Sequence, residues 1–251
     1  MENLLNKIHF ADCLDILRQL PDGSVDLLLQ DPPYNTTDLH FEYDLNFPVL
    51  WAEWQRVAKP NAAFVFTASN PFAAELIISK KDLFKYEWVW EKGKATLQTM
   101  VAFRPLKAHE LILVFGKAGT YNPQKEKGAP YKGRNCVSKK NGWEGFGNFK
   151  GKDNDGFRYP RSVIREKSGD RDGALHPTQK PTDLFRYLIR TYTNPGDVVF
   201  DGYGGSGTTA ISAQMENRKF IVCENHLPYF EASKSRLANL VAAPYLFSDC
   251  G

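Results

Sequence analysis

The sequence predicts an α/β fold built on a mostly parallel sheet and carrying one inserted segment, and three observations support this. Short apolar runs of strand length alternate with stretches of helical periodicity, the pattern a parallel sheet requires because its crossovers are helices. Two of those runs end in unusual chemistry: 25–30 leads into Asp31-Pro32-Pro33-Tyr34-Asn35, and 197–200 leads into a glycine-rich turn at 201–209. Between 117 and 172 the periodicity stops, and Gly, Asn, Lys and isolated aromatics replace it. A segment without a clear core of its own reads as an insertion whose loops carry specificity.

In chain order, a short apolar start at 8–11 precedes Asp12, an N-cap candidate for a helix over 13–20 in which Leu14, Leu17 and Leu20 recur at helical spacing. Pro21-Asp22-Gly23 ends that helix and leads into the strand at 25–30. A second amphipathic helix spans 47–59 with Leu50, Trp51, Trp54 and Val57 inward, and Pro60-Asn61 separates it from an apolar strand at 62–68. A helix at 71–79 and strands at 86–90 and 110–115 follow, with 91–109 between the two strands reading as basic and irregular. After the insertion, Pro181 occupies the first turn of a helix over 182–192. Then come the strand at 197–200, the glycine turn, a helix opening at 210, a strand at 219–223 ended by Glu224, and a last helix over 227–241.

Composition narrows the function class. Hydrophobic residues at 42% and charged residues at 24% are ordinary for a globular protein, and no apolar run approaches a membrane span. The N-terminus has no basic segment followed by a long apolar one, so a cytoplasmic location is expected. Cys13, Cys136, Cys223 and Cys250 lack C-x-x-C spacing, which argues for reduced thiols rather than a zinc site or a disulfide framework. The net charge of +3 is unevenly spread: 117–175 holds 14 Lys/Arg against 7 Asp/Glu, a local +7, leaving 18 against 22 elsewhere. A basic segment on a slightly acidic body is the footprint of a polyanion-binding face.

The two motifs carry the chemistry. Residues 202–207 satisfy G-x-G-x-x-G between a strand and a helix, and Glu224 stands at the end of the next strand, where an acid holds ribose hydroxyls. Asp31-Pro32-Pro33-Tyr34 is a stiff segment that offers a carboxylate, a backbone carbonyl and a ring, because neither proline can donate and both have fixed φ. Too little chain follows the glycine loop to complete a dinucleotide fold, so the N-terminal half must complete the sheet in a permuted order. Both motifs then lie at carboxyl ends of strands near its switch point.

Together with His176-Pro177-Thr178-Gln179-Lys180-Pro181 before a helix, these motifs resemble the β-class DNA amino-methyltransferases, which methylate adenine N6 or cytosine N4, and the resemblance covers essentially the whole chain. It implies a Rossmann-like S-adenosylmethionine-dependent methyltransferase fold, with 1–116 as its catalytic part, 117–172 as a target-recognition insertion and 173–251 as its cofactor-binding part. It also implies that Asp31, Pro32, Pro33 and Tyr34 are catalytic: Asp31 and the Pro32 carbonyl accept the N–H bonds of a flipped base's exocyclic amine, and Tyr34 stacks on the base. Asn35 belongs to the pocket wall. For S-adenosyl-L-methionine it implies contacts from Asp201, Gly202, Tyr203, Gly204, Gly205, Ser206, Gly207, Thr208, Thr209, Glu224 and Asn225, from Asp31, and from Thr178 and Lys180 at its amino-acid end. Asp12 is either a helix N-cap or a contact to the cofactor's adenine, and one residue can do both.

No metal is required. The partners implied are double-stranded DNA, a second copy in a homodimer and a cognate restriction endonuclease. Asp rather than Ser before Pro-Pro-Tyr leans toward adenine, with cytosine N4 as the nearest rival and an inactive DNA-binding protein as another. A nicotinamide-dependent oxidoreductase is disfavoured, because the glycine loop comes late and no proton relay is evident. One departure stands out: the family usually has Asp-Pro-Phe where this chain has Asp201-Gly202-Tyr203.

Overall fold

A computed structural model describes residues 1–34, 45–117, 119–133, 151–166 and 179–242 of the 251. Asn35, Cys136, His176, Pro177, Thr178 and Cys250, named above, lie outside the described residues. The chain divides into two compact units, Met1–Asn122 with Ser162–Gly251, and Pro123–Arg161.

The larger unit contains an eight-stranded sheet formed by β1 (Lys7–Phe10), β2 (Val25–Gln30), β3 (Ala58–Ala68), β4 (Phe84–Thr96), β5 (Lys107–Gly116), β8 (Val163–Glu166), β9 (Val198–Asp201) and β10 (Lys219–Glu224). Its order is β1-β10-β9-β2-β3-β5-β4-β8, and only β5 runs antiparallel to its neighbours. β2 and β9 pair in parallel through Leu27↔Val199 and Leu28↔Phe200. From this central pair the chain winds outward in both directions, so the two motif-bearing strand ends share the switch point.

Helices cover both faces, which explains why the central strands are apolar on both sides. On one face α1 (Cys13–Leu17), α2 (Phe47–Val57) and α3 (Phe72–Ser79) pack Leu17, Trp51, Trp54, Val57 and Leu76 against Leu28, Phe66, Phe115 and Phe200. On the other, α4 (Thr182–Tyr192) and α5 (Thr208–Met215) pack Leu184, Leu188, Ile189 and Ala213 against Leu27, Leu29, Val65 and Val199. The last helix, α6 (Leu227–Ala242), packs against α5, β1 and β10. No helix among the described residues is long and apolar enough to cross a membrane.

Most elements fall where the sequence places them, with two corrections. The segment 91–109, expected to be irregular, is largely a β-hairpin: β4 runs on to Thr96 and β5 begins at Lys107. These extensions are mostly exposed, so no apolar alternation marks them in the sequence. The expected insertion at 117–172 is not uniform either, because β8 pairs with β4 in the main sheet through Val89↔Val163 and Trp90↔Ile164. The smaller unit contains the short antiparallel pair β6 (Glu126–Lys127) and β7 (Phe157–Arg158), a bridge between Tyr131 and Asn154, and two cation–aromatic contacts, Lys125 over Tyr159 and Arg158 over Tyr131.

Trp54 is fully buried and meets Trp51 edge-on with ring centroids 5.2 Å apart. Trp54→Ala is expected to destabilise the protein by about 3–5 kcal/mol, because that core cannot close over the void, and chemical denaturation would measure the loss.

Candidate active site at the β2–β9 switch point

Gln30, the last residue of β2, is fully buried and joins the two halves of the site. Its Nε2 donates to the Phe200 carbonyl at 2.8 Å, and its Oε1 accepts the Gly202 N–H at 3.0 Å. One amide therefore ties the Asp31 strand to the glycine loop, 172 positions away in sequence.

The glycine loop is held from every side. Asp201 is buried, accepts the Tyr203 N–H at 2.9 Å and receives the Thr209 hydroxyl at 2.5 Å. Burial pushes its carboxyl up to about 7, against the lowering effect of those two donors. Gly204 donates to the Cys223 carbonyl at 2.7 Å, and a Cβ there would collide with Val222. Gly205 and Gly207 have φ of 49° and 80°, the left-handed region that side chains disfavour. The Glu224 carboxylate accepts the Gly205 N–H at 2.7 Å on Oε2 and the His226 N–H at 2.7 Å on Oε1. A carboxylate has about four acceptor sites, so beside these backbone donors Glu224 keeps room for a hydroxyl. Burial raises the Glu224 carboxyl, although these backbone donors oppose the rise.

Ser206 and Thr208 are buried side chains in contact with each other at 3.3 Å, and Arg236 of α6 donates to the Ser206 carbonyl at 3.2 Å and to Thr208 Oγ1 at 3.1 Å. Tyr203 packs against the core with its hydroxyl 3.9 Å from Cys13 Sγ, and Asn225 is exposed beside Glu224. Asp12 is an N-cap, with Oδ1 accepting the Leu14 N–H of α1 at 2.8 Å. Narrow, glycine-lined and bordered by a carboxylate with open acceptor sites, this cradle suits a nucleoside cofactor.

Asp31 follows Gln30, with the buried Pro32 next to it. Its carboxylate receives Lys180 Nζ at 2.7 Å on Oδ1 and 2.9 Å on Oδ2, the Thr67 hydroxyl on Oδ1, and the Tyr34 hydroxyl at 3.0 Å on Oδ1. The Tyr34 hydroxyl also lies 2.9 Å from Thr67 Oγ1. Burial, then the Asp31 charge, holds that phenol well above its ordinary value, so it stays a neutral donor.

Two of the expected site residues already have partners in this structure. Lys180, expected at the cofactor's amino-acid end, is ion-paired with Asp31, because a buried ammonium takes the nearest carboxylate. The Tyr34 ring, expected to stack on the base, lies against Phe72 with centroids 5.4 Å apart and planes 25° apart, and Lys180 Nζ sits 5.3 Å from its centroid.

Sequence reasoning missed three further site residues. Thr67, the penultimate residue of β3, and Gln30 are polar residues ending apolar strands, and that position was the available signal. Glu110 of β5 binds Lys92 of β4 at 2.5 Å, and its other oxygen lies 3.6 Å from Lys180 Nζ. Among the described residues no group of three or more His, Cys, Asp or Glu is placed to hold a metal ion.

A permuted, doubly wound sheet with a glycine cradle on one central strand and an Asp-Pro-Pro-Tyr corner on its neighbour defines the class of Rossmann-like group-transfer enzymes. Comparison then gives the family: the profile described as "DNA methylase", of the N6/N4 type, matches residues 25–235, and the chain belongs to that family. It is 31% identical to the type II methyltransferase M1.MboII of Moraxella bovis, over 90% of this chain and 94% of that protein. It is 30% identical to M.BamHI of Bacillus amyloliquefaciens, over 94% of this chain but 57% of that longer protein. Among solved structures, the M1.HpyAVI–SAM complex superposes with a TM-score of 0.65 at 25% identity, covering 92% of this chain and 98% of that one. The cytosine-N4-specific PvuII DNA methyltransferase shares the fold, with a TM-score of 0.64 at 20% identity over 98% of this chain and 88% of that one.

Two predictions follow from this geometry. Gln30→Leu leaves the Gly202 N–H buried without its acceptor and should cost about 1–3 kcal/mol in denaturant unfolding, with weaker cofactor binding by calorimetry. Asp201 should give stability a pH slope of defined sign. Its folded value of about 7 lies above the ordinary 3.8, so its contribution is full below 3.8 and is lost as pH rises towards 7. Asp201→Asn should remove that component from melting curves recorded across the window.

Proposed function

We propose that this DNA methylase transfers a methyl group from S-adenosyl-L-methionine to the N6 amine of a flipped adenine in duplex DNA. The observation that carries the reading is the placement of Asp31 and Pro32 at the end of β2, beside the glycine loop at the end of β9. The M1.HpyAVI neighbour, solved as a complex with SAM, supports the cofactor. The Gly202–Gly207 backbone and Glu224 would hold its nucleoside, with Asp12 near the adenine; when bound it supplies an electrophilic methyl on a sulfonium.

The residues of this chain do the rest. The adenine amine is a weak nucleophile because its lone pair is delocalised into the ring. Asp31 Oδ2 and the Pro32 carbonyl accept its two N–H bonds, which favours a pyramidal nitrogen with its lone pair free to attack. That lone pair would form the new N–C bond as the methyl–sulfur bond breaks to leave a neutral thioether, and one N–H proton would leave with Asp31 as the nearest carboxylate. Because the prolines and Gln30 fix both acceptors beforehand, little reorganisation is needed at the moment of transfer. The adenine assignment rests on Asp, rather than Ser, before Pro-Pro-Tyr.

DNA is held elsewhere. Residues 117–172 serve as the target-recognition region through their excess of Lys and Arg. The β4–β5 hairpin adds Lys92, Lys94, Arg104 and Lys107, with no acid between Glu91 and Glu110. A homodimer and a cognate restriction endonuclease complete this reading, the latter because the relatives M1.MboII and M.BamHI are type II methyltransferases.

The test is transfer of labelled methyl from S-adenosylmethionine to duplex DNA, followed by nucleoside analysis. N6-methyladenine is expected, and Asp31→Ala should lower the rate by roughly 10²–10³ or more, the scale of losing one preorganised group at a reacting centre. N4-methylcytosine would reassign the base. Salt-sensitive DNA binding without any transfer would sink the enzymatic reading.

A further inference from the structure

The acceptor that methyl transfer needs is already occupied. A carboxylate has about four acceptor sites, and Asp31 meets Thr67, Tyr34 and Lys180 on Oδ1 and Lys180 again on Oδ2. Oδ1 is full, and a substrate amine that turns to Oδ2 has to share that oxygen with the Lys180 ammonium. That ammonium is also a poor neighbour for a nitrogen that becomes positive as its lone pair forms a bond to the methyl group.

The same structure holds a second seat for the ammonium. Glu110 is 12% exposed; its Oε1 binds Lys92 Nζ at 2.5 Å, while its Oε2 is buried without a hydrogen-bond partner and faces Lys180 Nζ at 3.6 Å. A buried carboxylate oxygen without a donor is costly, and Nζ needs to approach by less than about 1 Å to reach hydrogen-bond distance. Glu110 is ionised and ready for it: burial works against its charge, but Lys180, Lys92 and Lys107 outweigh that and hold the carboxyl below its ordinary value. Lys107 is engaged with Ser69 and Lys92 with Glu110 Oε1, so of the three cations Lys180 is the one poised between two carboxylates.

We propose that Glu110 is a positioning residue for the reaction: it takes Lys180 when the substrate amine arrives, freeing Asp31 Oδ2 to accept the amine's N–H. Lys180 is then a gate on Asp31 instead of a clamp on the cofactor's amino-acid end. The inference rests on the methyl-transfer reading. If the wild-type chain does not methylate DNA, that reading fails; if it does and the variants below behave otherwise than stated, only the gate fails.

The experiment measures single-turnover methyl transfer and KM for S-adenosylmethionine and duplex DNA in the wild type, Glu110→Gln, Lys180→Met and the double variant. In Glu110→Gln the ammonium has no anionic seat but Asp31. The rate should fall roughly tenfold or more, on the scale of energetic coupling between contacting charged groups, with both KM values little changed. Adding Lys180→Met to Glu110→Gln should restore part of the rate, because the blocking cation is gone. An unchanged Glu110→Gln rate, a loss confined to the KM for S-adenosylmethionine, or a double variant slowed by the product of the single losses would each overturn the gate. If Glu110→Gln does not fold, the wild type still decides. The Lys180 ammonium signal in 15N-lysine spectra, assigned through Lys180→Arg, should shift when duplex DNA and S-adenosylhomocysteine saturate the protein. An unmoved signal at saturation overturns the proposal.

Discussion

The amide of Gln30 is the interaction on which the rest of the site depends. β2 and β9 are far apart in the chain, and ordinary strand pairing brings them together only through Leu27↔Val199 and Leu28↔Phe200. Past that pair each strand ladders only with its outer neighbour, Gln30 with Phe66 and Asp201 with Val222, and no backbone pairing joins the two. The Gln30 side chain continues the ladder by one step, donating to Phe200 and accepting from Gly202, and so fixes the cradle relative to Asp31. Since the bond is buried, breaking it exposes nothing to water and the full desolvation cost is felt. Catalysis by orientation tolerates only small displacements, so this constraint has to be stiff.

Beyond it, charges alternate in sign across the carboxyl edge of the sheet: Asp31, Lys180, Glu110, Lys92. Each charge in this row faces one of opposite sign, so none of them lacks a counter-charge. In the proposed exchange a neutral substrate amine would take the ammonium's place on Asp31 Oδ2, while Lys180 keeps an anionic partner in Glu110. A site preorganised in this way does not have to desolvate its acceptor during the reaction.

How much of this the sequence carried depended on how local each signal was. The strand before Asp31, the glycine loop and helix α4 announced themselves through periodicity and through residues adjacent in the chain. Thr67, Gln30 and Glu110 did not, because each acts through a partner brought close only by the fold; a Gln closing an apolar run looks like any strand end until Gly202 lies beside it. Lys180 stood out as a candidate site residue within its motif, but its ion pair with Asp31 did not. The exposed half of the β4–β5 hairpin escaped for another reason: with both faces wet, nothing in the pattern of residues distinguishes strand from loop. β8 escaped because it is a short strand inside a segment whose composition reads as loop.

The one departure from the family pattern follows from the same geometry. Where the family usually places proline after the aspartate, this chain has Gly202, and a Cβ at that position would lie 2.8 Å from Cys13 Cβ and 3.1 Å from Gln30 Oε1. A proline there would add ring atoms to that crowded place. It would also remove the N–H that Gln30 Oε1 accepts, since proline has none to give. Gly202 and Gln30 are thus a matched pair: the glycine supplies both the space and the donor, and the buried amide replaces by hydrogen bonding the rigidity that a proline would have supplied covalently. Tyr203, next in line, keeps a ring against the core, so the loop retains its anchor while its stiffness comes from the neighbouring strand.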